Sequence, residues 1–484
     1  MARQGLMARK SVADLAEGGN AGEPELARTL GPWSITAMGI GAVIGAGIFV
    51  LTGTAAARYA GPAIMVSFVL GGIACAFVGL CYAELAAMLP VSGSSYSYTY
   101  ATLGEIFAWI VGWDLILEYA AGAATVAVGW SGYATSLLAS AGFSLPPRFA
   151  AAPGTALTLA DGSQTTGLLN LPAALIVLLL TALLVVGTTG SSRFNNVMVA
   201  LKLTVVALFV GFGVFAVSPA HWQPFMPPNG GSFGHFGWSG VLRGASVVFF
   251  AFIGFDAVST AAQEAERPQR DMPIGILGSL AICTLLYVAV AALLTGLVPY
   301  GELDVADPIA KGVDAIGHLW LSLPVKLGAL AGLTTVMLVL LYGQGRIFYT
   351  MAQDGLLPGI FGHINPRTGT PALSQITIGT VVAIVAALVP IDVLGEMVSI
   401  GTLLAFGLVC YAVLHLRRTD PDGERPFRCP ASPWVPILGI VFCLALMAGL
   451  PLFTWLRLVV WMVIGLAIYF GYGRRHSRLG RDDA

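Results

Sequence analysis

Apolar residues along this chain come in long unbroken blocks separated by short polar stretches. Blocks near or above the ~18 residues that a spanning helix needs fall at 34–57, 62–89, 103–141, 170–189, 195–217, 240–263, 273–298, 322–350, 371–389, 392–416, 433–450 and 452–473. They predict an all-α polytopic membrane protein with twelve transmembrane helices. A transmembrane β-barrel would show alternating apolar and polar residues instead. The block at 103–141 is too long to cross once untilted, so it is predicted to tilt or to project beyond the bilayer.

Two blocks are interrupted. The first holds Gly39, Gly41, Gly45 and Gly47, and each glycine costs a helix interior roughly 1 kcal/mol against alanine. Irregular backbone survives at membrane depth only where protein or a water-filled cavity surrounds it, so a helix that breaks here lines something. In the sixth block, Gly254 and Asp256 interrupt the run Phe249-Phe250-Ala251-Phe252-Ile253-Gly254-Phe255-Asp256-Ala257 in the same way. The offset between the breaks, about 210 residues, also carries Pro62 close to Pro273, and later blocks keep the same order, the pattern of an internal repeat. Five helices per unit put the second unit upside down relative to the first. The predicted organisation is a 5+5 inverted repeat, 34–217 and 240–416, with discontinuous helices one and six. Two further helices at 433–473 follow, with tails at 1–33 and 474–484.

Matched interruptions in two repeats point to a transporter's binding site. Lone membrane-helix glycines usually serve close packing, but this density, with a partner in the second repeat, favours a site. Freed amides at a helix N-terminus attract a carboxylate, and freed carbonyls attract an ammonium group. An amino acid carries both groups on one carbon.

Composition agrees. Of 484 residues, 57% are hydrophobic and 10% charged, against about 25% charged in soluble proteins; mean hydropathy is +0.82. Most of the 24 Lys and Arg fall on one side if both termini are cytoplasmic. That side takes Arg3, Arg9, Lys10, Arg28, Arg193, Arg267, Arg270, Arg346, Arg367, Arg417, Arg418, Arg425, Arg428 and the C-terminal arginines; Arg58, Arg148, Arg243, Lys311, Lys326 and Arg457 take the other. The expected location is the cell membrane. Outer loops are expected at 142–170 and 219–239, and a third carries the acidic Glu302–Asp307, a candidate surface helix. The first 30 residues contain no apolar core, so no cleaved signal peptide is expected. The net charge of −1 names no partner, and nucleic acid is not expected. The six cysteines lack zinc-ligand spacing, and no phosphate loop, His-Glu-x-x-His or Gly-x-Ser-x-Gly motif occurs. No metal, cofactor or enzymatic activity is expected.

Single ionisable residues within the blocks sharpen the picture. Lys202 lies in Val199-Ala200-Leu201-Lys202-Leu203, where it either snorkels to the headgroups or faces the bundle interior as a carrier of the coupled proton. Glu118 and Asp114 share a face of the third helix, either in a structural network or lining the substrate cavity. Glu84 and Arg346 sit near helix ends, where ion pairing or gating is expected. Phe252, beside the second break, is the candidate gate.

These motifs resemble the amino acid–polyamine–organocation transporters, specifically the bacterial relatives of the cationic amino acid transporters. The resemblance rests on Gly39–Val50, on Gly112-Trp113-Asp114-Leu115-Ile116-Leu117-Glu118-Tyr119, and on Phe249–Asp256; it extends through Pro268-Gln269-Arg270-Asp271-Met272-Pro273 and Asp354-Gly355-Leu356-Leu357-Pro358. It implies alternating access and an L-amino-acid substrate. The carboxylate would meet backbone at Gly45, Ala46 and Gly47, and the amino group carbonyls around Val43, Phe250, Ala251 and Ile253. Lys202 matches a lysine that stands where sodium-dependent members bind the ion, Glu118 matches a glutamate of the cationic branch, and Met337 would line the side-chain pocket. Three departures bear on substrate choice: Gln263-Glu264 with Glu266-Arg267, Ala46 in place of a hydroxyl residue, and Gly345 before Arg346. The reading is proton-coupled symport of L-amino acids. An exchanger, a sodium symporter using Thr334 and Thr335, and a channel or membrane-embedded enzyme remain open.

Overall fold

The computed structural model describes residues 8–10, 30–89, 94–158, 163–187, 192–317, 319–365 and 370–479. Arg3, Arg28, Arg367 and Arg481, most of the 1–33 tail, and the side chains of Arg193 and Gln263 lie outside the described residues.

Every apolar block carries helix. The first run opens as α1 (Pro32–Val43), with proline at its start, where a missing N–H costs nothing, and resumes beyond a break as a helical segment from Gly47 to Ala60. Then come α2 (Ile64–Met88), α3 (Ser94–Thr102), α4 (Glu105–Ser140), α5 (Leu171–Val186), α6 (Ser192–Gly213) and α7 (Gly237–Val248). The second half holds α8 (Pro268–Leu297), α9 (Pro308–Ile316), α10 (Leu319–Gln353), α11 (Ala372–Leu388), α12 (Ile391–Thr419), α13 (Trp434–Ala448) and α14 (Leu452–Ile468).

Among the described residues, six helical stretches are long and apolar enough to cross a membrane. One of these, Gly47–Met88, turns at Gly61 (φ +59°) and so joins two of the predicted spans. Five shorter apolar helices include α5 and α11. The 36 residues of α4 extend about 54 Å at 1.5 Å per residue, well beyond a hydrocarbon core, as its sequence length predicts.

α2 packs along α8, α4 along α10, and α5 along α11, with α1 wedged against α8 and α6. The exterior is apolar, with Leu179, Leu285, Leu444 and Val463 exposed, the pattern expected of a surface facing lipid tails. α14 docks on α4 through stacked Trp113 and Trp461, centroids 4.5 Å apart, at a point where any side chain on Gly465 would overlap Trp113.

Two local expectations change. The loop at 142–170 contains four short strands, β1 (Ala150–Ala151), β2 (Ala156–Thr158), β3 (Gln164–Thr166) and β4 (Leu169–Asn170), pairing β1 with β4 and β2 with β3, so the chain is not wholly α. In the loop after α8, helix forms not at the acidic Glu302–Asp307 but after it, as α9, where Pro308 supplies a favourable first residue. α9 caps the first run: a Cβ on Gly53 would lie 2.5 Å from Pro308 Cβ.

Ion pairs gather at the two faces. On the face shared with residues 8–10, buried Glu84 at the end of α2 accepts from Arg417 Nε and Nη2 (3.0 and 2.5 Å) and from the Cys429 amide (2.7 Å), with Arg425 Nε 3.5 Å away. On the same face Lys10 pairs with Asp354. Arg346, by contrast, stacks on the Tyr342 ring. On the opposite face Glu396 pairs with Arg243 (2.5 Å) and accepts from Thr454 (2.6 Å), and half-exposed Arg58 reaches Asp304 and Asp392. All six cysteines are buried and free, as small core residues.

Breaking a buried pair leaves its partner uncompensated, whereas an exposed pair contributes little. Glu84→Gln should therefore lower stability by about 2 kcal/mol. Glu302→Gln, which breaks the exposed pair with Lys311, should be nearly neutral. Thermal unfolding of the detergent-solubilised protein measures both.

Candidate substrate site

Both predicted interruptions are real breaks in hydrogen bonding. α1 stops at Val43 because Ile44 turns to an extended conformation (ψ 100°), and a wide helical turn begins at Gly47. α7 tightens into a 3-10 turn at Phe249–Phe252; Ile253 then extends (ψ 138°), Gly254 adopts φ +111°, and a second 3-10 stretch runs over Asp256–Gln263. A β-carbon at φ +111° would be strained, so Gly254 is needed for its conformation as well as its size.

The breaks lie against each other. A Cβ on Gly47 would fall 2.3 Å from Ala251 Cα, and one on Gly254 would fall 2.9 Å from the Ala42 carbonyl oxygen. A Cβ on Gly45 would sit 3.2 Å from Val336 Cγ2 on α10. The glycines thus set the distance between two interrupted helices and a third.

Freed carbonyls find donors on other helices. Lys202 Nζ on α6 donates to Gly41 O at 2.8 Å, and Tyr287 on α8 places its hydroxyl 2.8 Å from Val43 O and 2.6 Å from Ala251 O. Within the resumed segment, Tyr133 on α4 donates to Phe49 O (2.8 Å), and the Thr52 hydroxyl adds a bond to Gly47 O (3.0 Å), which also accepts the Thr52 amide. The amides that open the resumed helix near Gly45, Ala46 and Gly47 lack intrahelical acceptors by the geometry of any helix start.

Lys202 is 2% exposed and its stem lies on Gly332 of α10, so it faces the interior and does not snorkel. Asp114 and Glu118 are at most 1% exposed, and their carboxylate oxygens accept no hydrogen bond among the described residues. Thr402 lies beside Glu118 but donates its proton to Val398 O. Asp256, at the second break, accepts from the Gly254 amide and is close enough to Glu118 to interact electrostatically. A carboxyl group this deep is costly to ionise without a paired positive charge.

The structure brings Val43, Gly45, Gly47 and Ala251 together at the paired breaks, flanked by Ala46, Phe250 and Ile253, all buried. Glu118 is near enough to Asp256 of the second break for the two to interact electrostatically. Met337 is buried on α10, next to the Val336 that meets Gly45. Phe252 packs on α2 and α8, against Phe68, Tyr287 and Gly71. Sequence reasoning missed Tyr287 and Val336. A hydroxyl in the middle of the apolar run Leu285-Leu286-Tyr287-Val288 was the available signal for the first, because at membrane depth it needs a partner. Val336 carried none.

Two interrupted helices with freed backbone at their junction, inside a polytopic helical bundle, define a membrane transporter's kind of site. The family model for amino acid permeases matches residues 30–471, and the chain belongs to that family. It is 47% identical over 474 residues to the branched-chain amino acid permease BcaP of Bacillus subtilis, covering 98% of each chain. It is 46% identical over 456 residues to the methylthioribose transporter of the same organism, covering 94% of this chain and 95% of that one. Similarity to the vacuolar cationic amino acid transporter 4 of Arabidopsis thaliana is 38% over 421 residues, covering 86% of this chain and 68% of the relative.

If Gly47 sets the approach of the breaks, Gly47→Ala should cut transport at least tenfold and cost roughly 2 kcal/mol of stability, since a backbone atom cannot give way. Gly407→Ala, where an added Cβ meets nothing within 4 Å, should leave both unchanged. Uptake into proteoliposomes and thermal unfolding check the contrast.

Proposed function

We propose that this protein imports L-amino acids across the cell membrane by proton-coupled symport with alternating access. The observation that carries the reading is the junction itself: carbonyls of Val43 and Ala251 converge from two interrupted helices, and a buried lysine amine, Lys202, is tied to Gly41 of the same break. The substrate's ammonium takes the carbonyls around Val43, Phe250, Ala251 and Ile253, and its carboxylate the amides of Gly45, Ala46 and Gly47. Met337 lines the side-chain pocket, Glu118 lies at its edge, and Phe252 is the gate. Lys202 carries the coupled proton and releases Gly41 O when its charge changes.

Packing of α2 on α8, α4 on α10 and α5 on α11 supports a 5+5 inverted repeat with twelve spans, because these are the pairs the repeat equates. Both termini are cytoplasmic in this reading. The Lys202 stem lies against Gly332, two residues from Thr334, so a lysine stands where the sodium alternative needs an ion, which favours protons over sodium. Relatives named branched-chain amino acid permease, 47% and 36% identical, make branched apolar amino acids the first substrates to test.

A second reading has its own observation, the 46% identical relative named methylthioribose transporter. That neutral sugar thioether carries no ammonium group for the converging carbonyls.

The test is uptake into proteoliposomes under an imposed pH gradient, competed by each of the twenty amino acids and by methylthioribose. Leucine, isoleucine and valine should compete best; competition by methylthioribose alone selects the second reading. Lys202→Ala should abolish the dependence of uptake on the pH gradient, and unchanged proton dependence in that variant removes Lys202 from the coupling.

A further inference from the structure

The two interrupted helices meet at a side chain that belongs to neither. Tyr287, fully buried in α8, places one hydroxyl against two carbonyls, at 2.8 Å from Val43 O and 2.6 Å from Ala251 O. A phenol has a single proton to donate, whereas an ammonium group has three. The two acceptors are therefore under-supplied by their present partner and suited to a richer one. The breaks that carry them are held close: Gly47 approaches Ala251 so nearly that not even a methyl group fits between the two. The tyrosine ring is itself held, its centroid 5.3 Å from that of Phe252 and 5.4 Å from that of Phe68.

We infer that the Tyr287 hydroxyl is a built-in stand-in for the substrate's ammonium group. It holds Val43 O and Ala251 O together while the carrier reorients without substrate, and it yields them when an amino acid binds. The inference rests on the reading of the chain as an amino acid symporter. A symporter must return empty, and on that leg the freed carbonyls still need a donor in hydrocarbon. An exchanging carrier is loaded in both directions and skips that leg. Because the Tyr287 ring abuts Phe252, displacing the hydroxyl also shifts the proposed gate. Tyr287 is thus a positioning residue for both the amino-group site and closure.

Tyr287→Phe keeps the ring and its packing and removes only the hydroxyl. In proteoliposomes with isoleucine, the ratio of net pH-gradient-driven accumulation to exchange should fall roughly tenfold, the effect of leaving a buried carbonyl without its donor. The KM for exchange should fall several-fold, because a competitor for the carbonyls is gone. Residual accumulation should keep its dependence on the pH gradient, unlike that of Lys202→Ala. Equal losses in both modes, or a raised KM, would overturn the inference alone, since the hydroxyl would then be merely structural or a direct substrate contact. A wild-type protein without saturable isoleucine transport would overturn the amino acid reading, and the stand-in with it.

Discussion

Peptide groups released from helical hydrogen bonding have no solvent to turn to in hydrocarbon, and two such interruptions occupy the centre of this molecule. Three freed carbonyls are answered from other helices, Gly41 by Lys202 of α6 and Val43 and Ala251 by Tyr287 of α8, and Tyr133 of α4 adds a bond to Phe49 in the resumed helix. The surrounding helices are thereby fixed in rotation as well as position, since each must aim one polar atom at one carbonyl. Glycines at 47 and 254 set how close the broken segments come, because a side chain there would meet the backbone of the other segment.

Charge is distributed by the same constraint. At the two faces, carboxylates are matched: Glu84 by Arg417 and Arg425, Glu396 by Arg243. At the centre they are not, for the oxygens of Asp114 and Glu118 accept no hydrogen bond among the described residues. Unmatched charge is costly in a low-dielectric interior, and Asp114, Glu118 and Lys202, buried and not ion-paired among the described residues, lie away from the paired groups at the two faces. The family assignment is consistent with that division.

Much of this was legible in the chain. The apolar blocks, the two breaks and their spacing follow from hydropathy and from the local cost of glycine, which are properties of a residue and its near neighbours. Whether Lys202 snorkels or faces the interior was left open by the sequence and decided by its burial against Gly332. The helix at Pro308–Ile316 in place of one at the acidic Glu302–Asp307, and the small strands within 142–170, were not legible. Both lie in loops, where the choice is decided by what the loop packs against: Gly53 under Pro308, and the ends of α4 and α5 beside β1.

By itself, the sequence determined that this chain crosses a membrane in many helices and that two of them cannot stay continuous. Only the tertiary structure decided what those interruptions bind to. Tyr287 is 244 residues from Val43 and Lys202 is 161 from Gly41. Hydrogen bonds are directional over about 3 Å, so such pairings depend on how whole helices pack and rotate, which hydropathy along a single run does not encode.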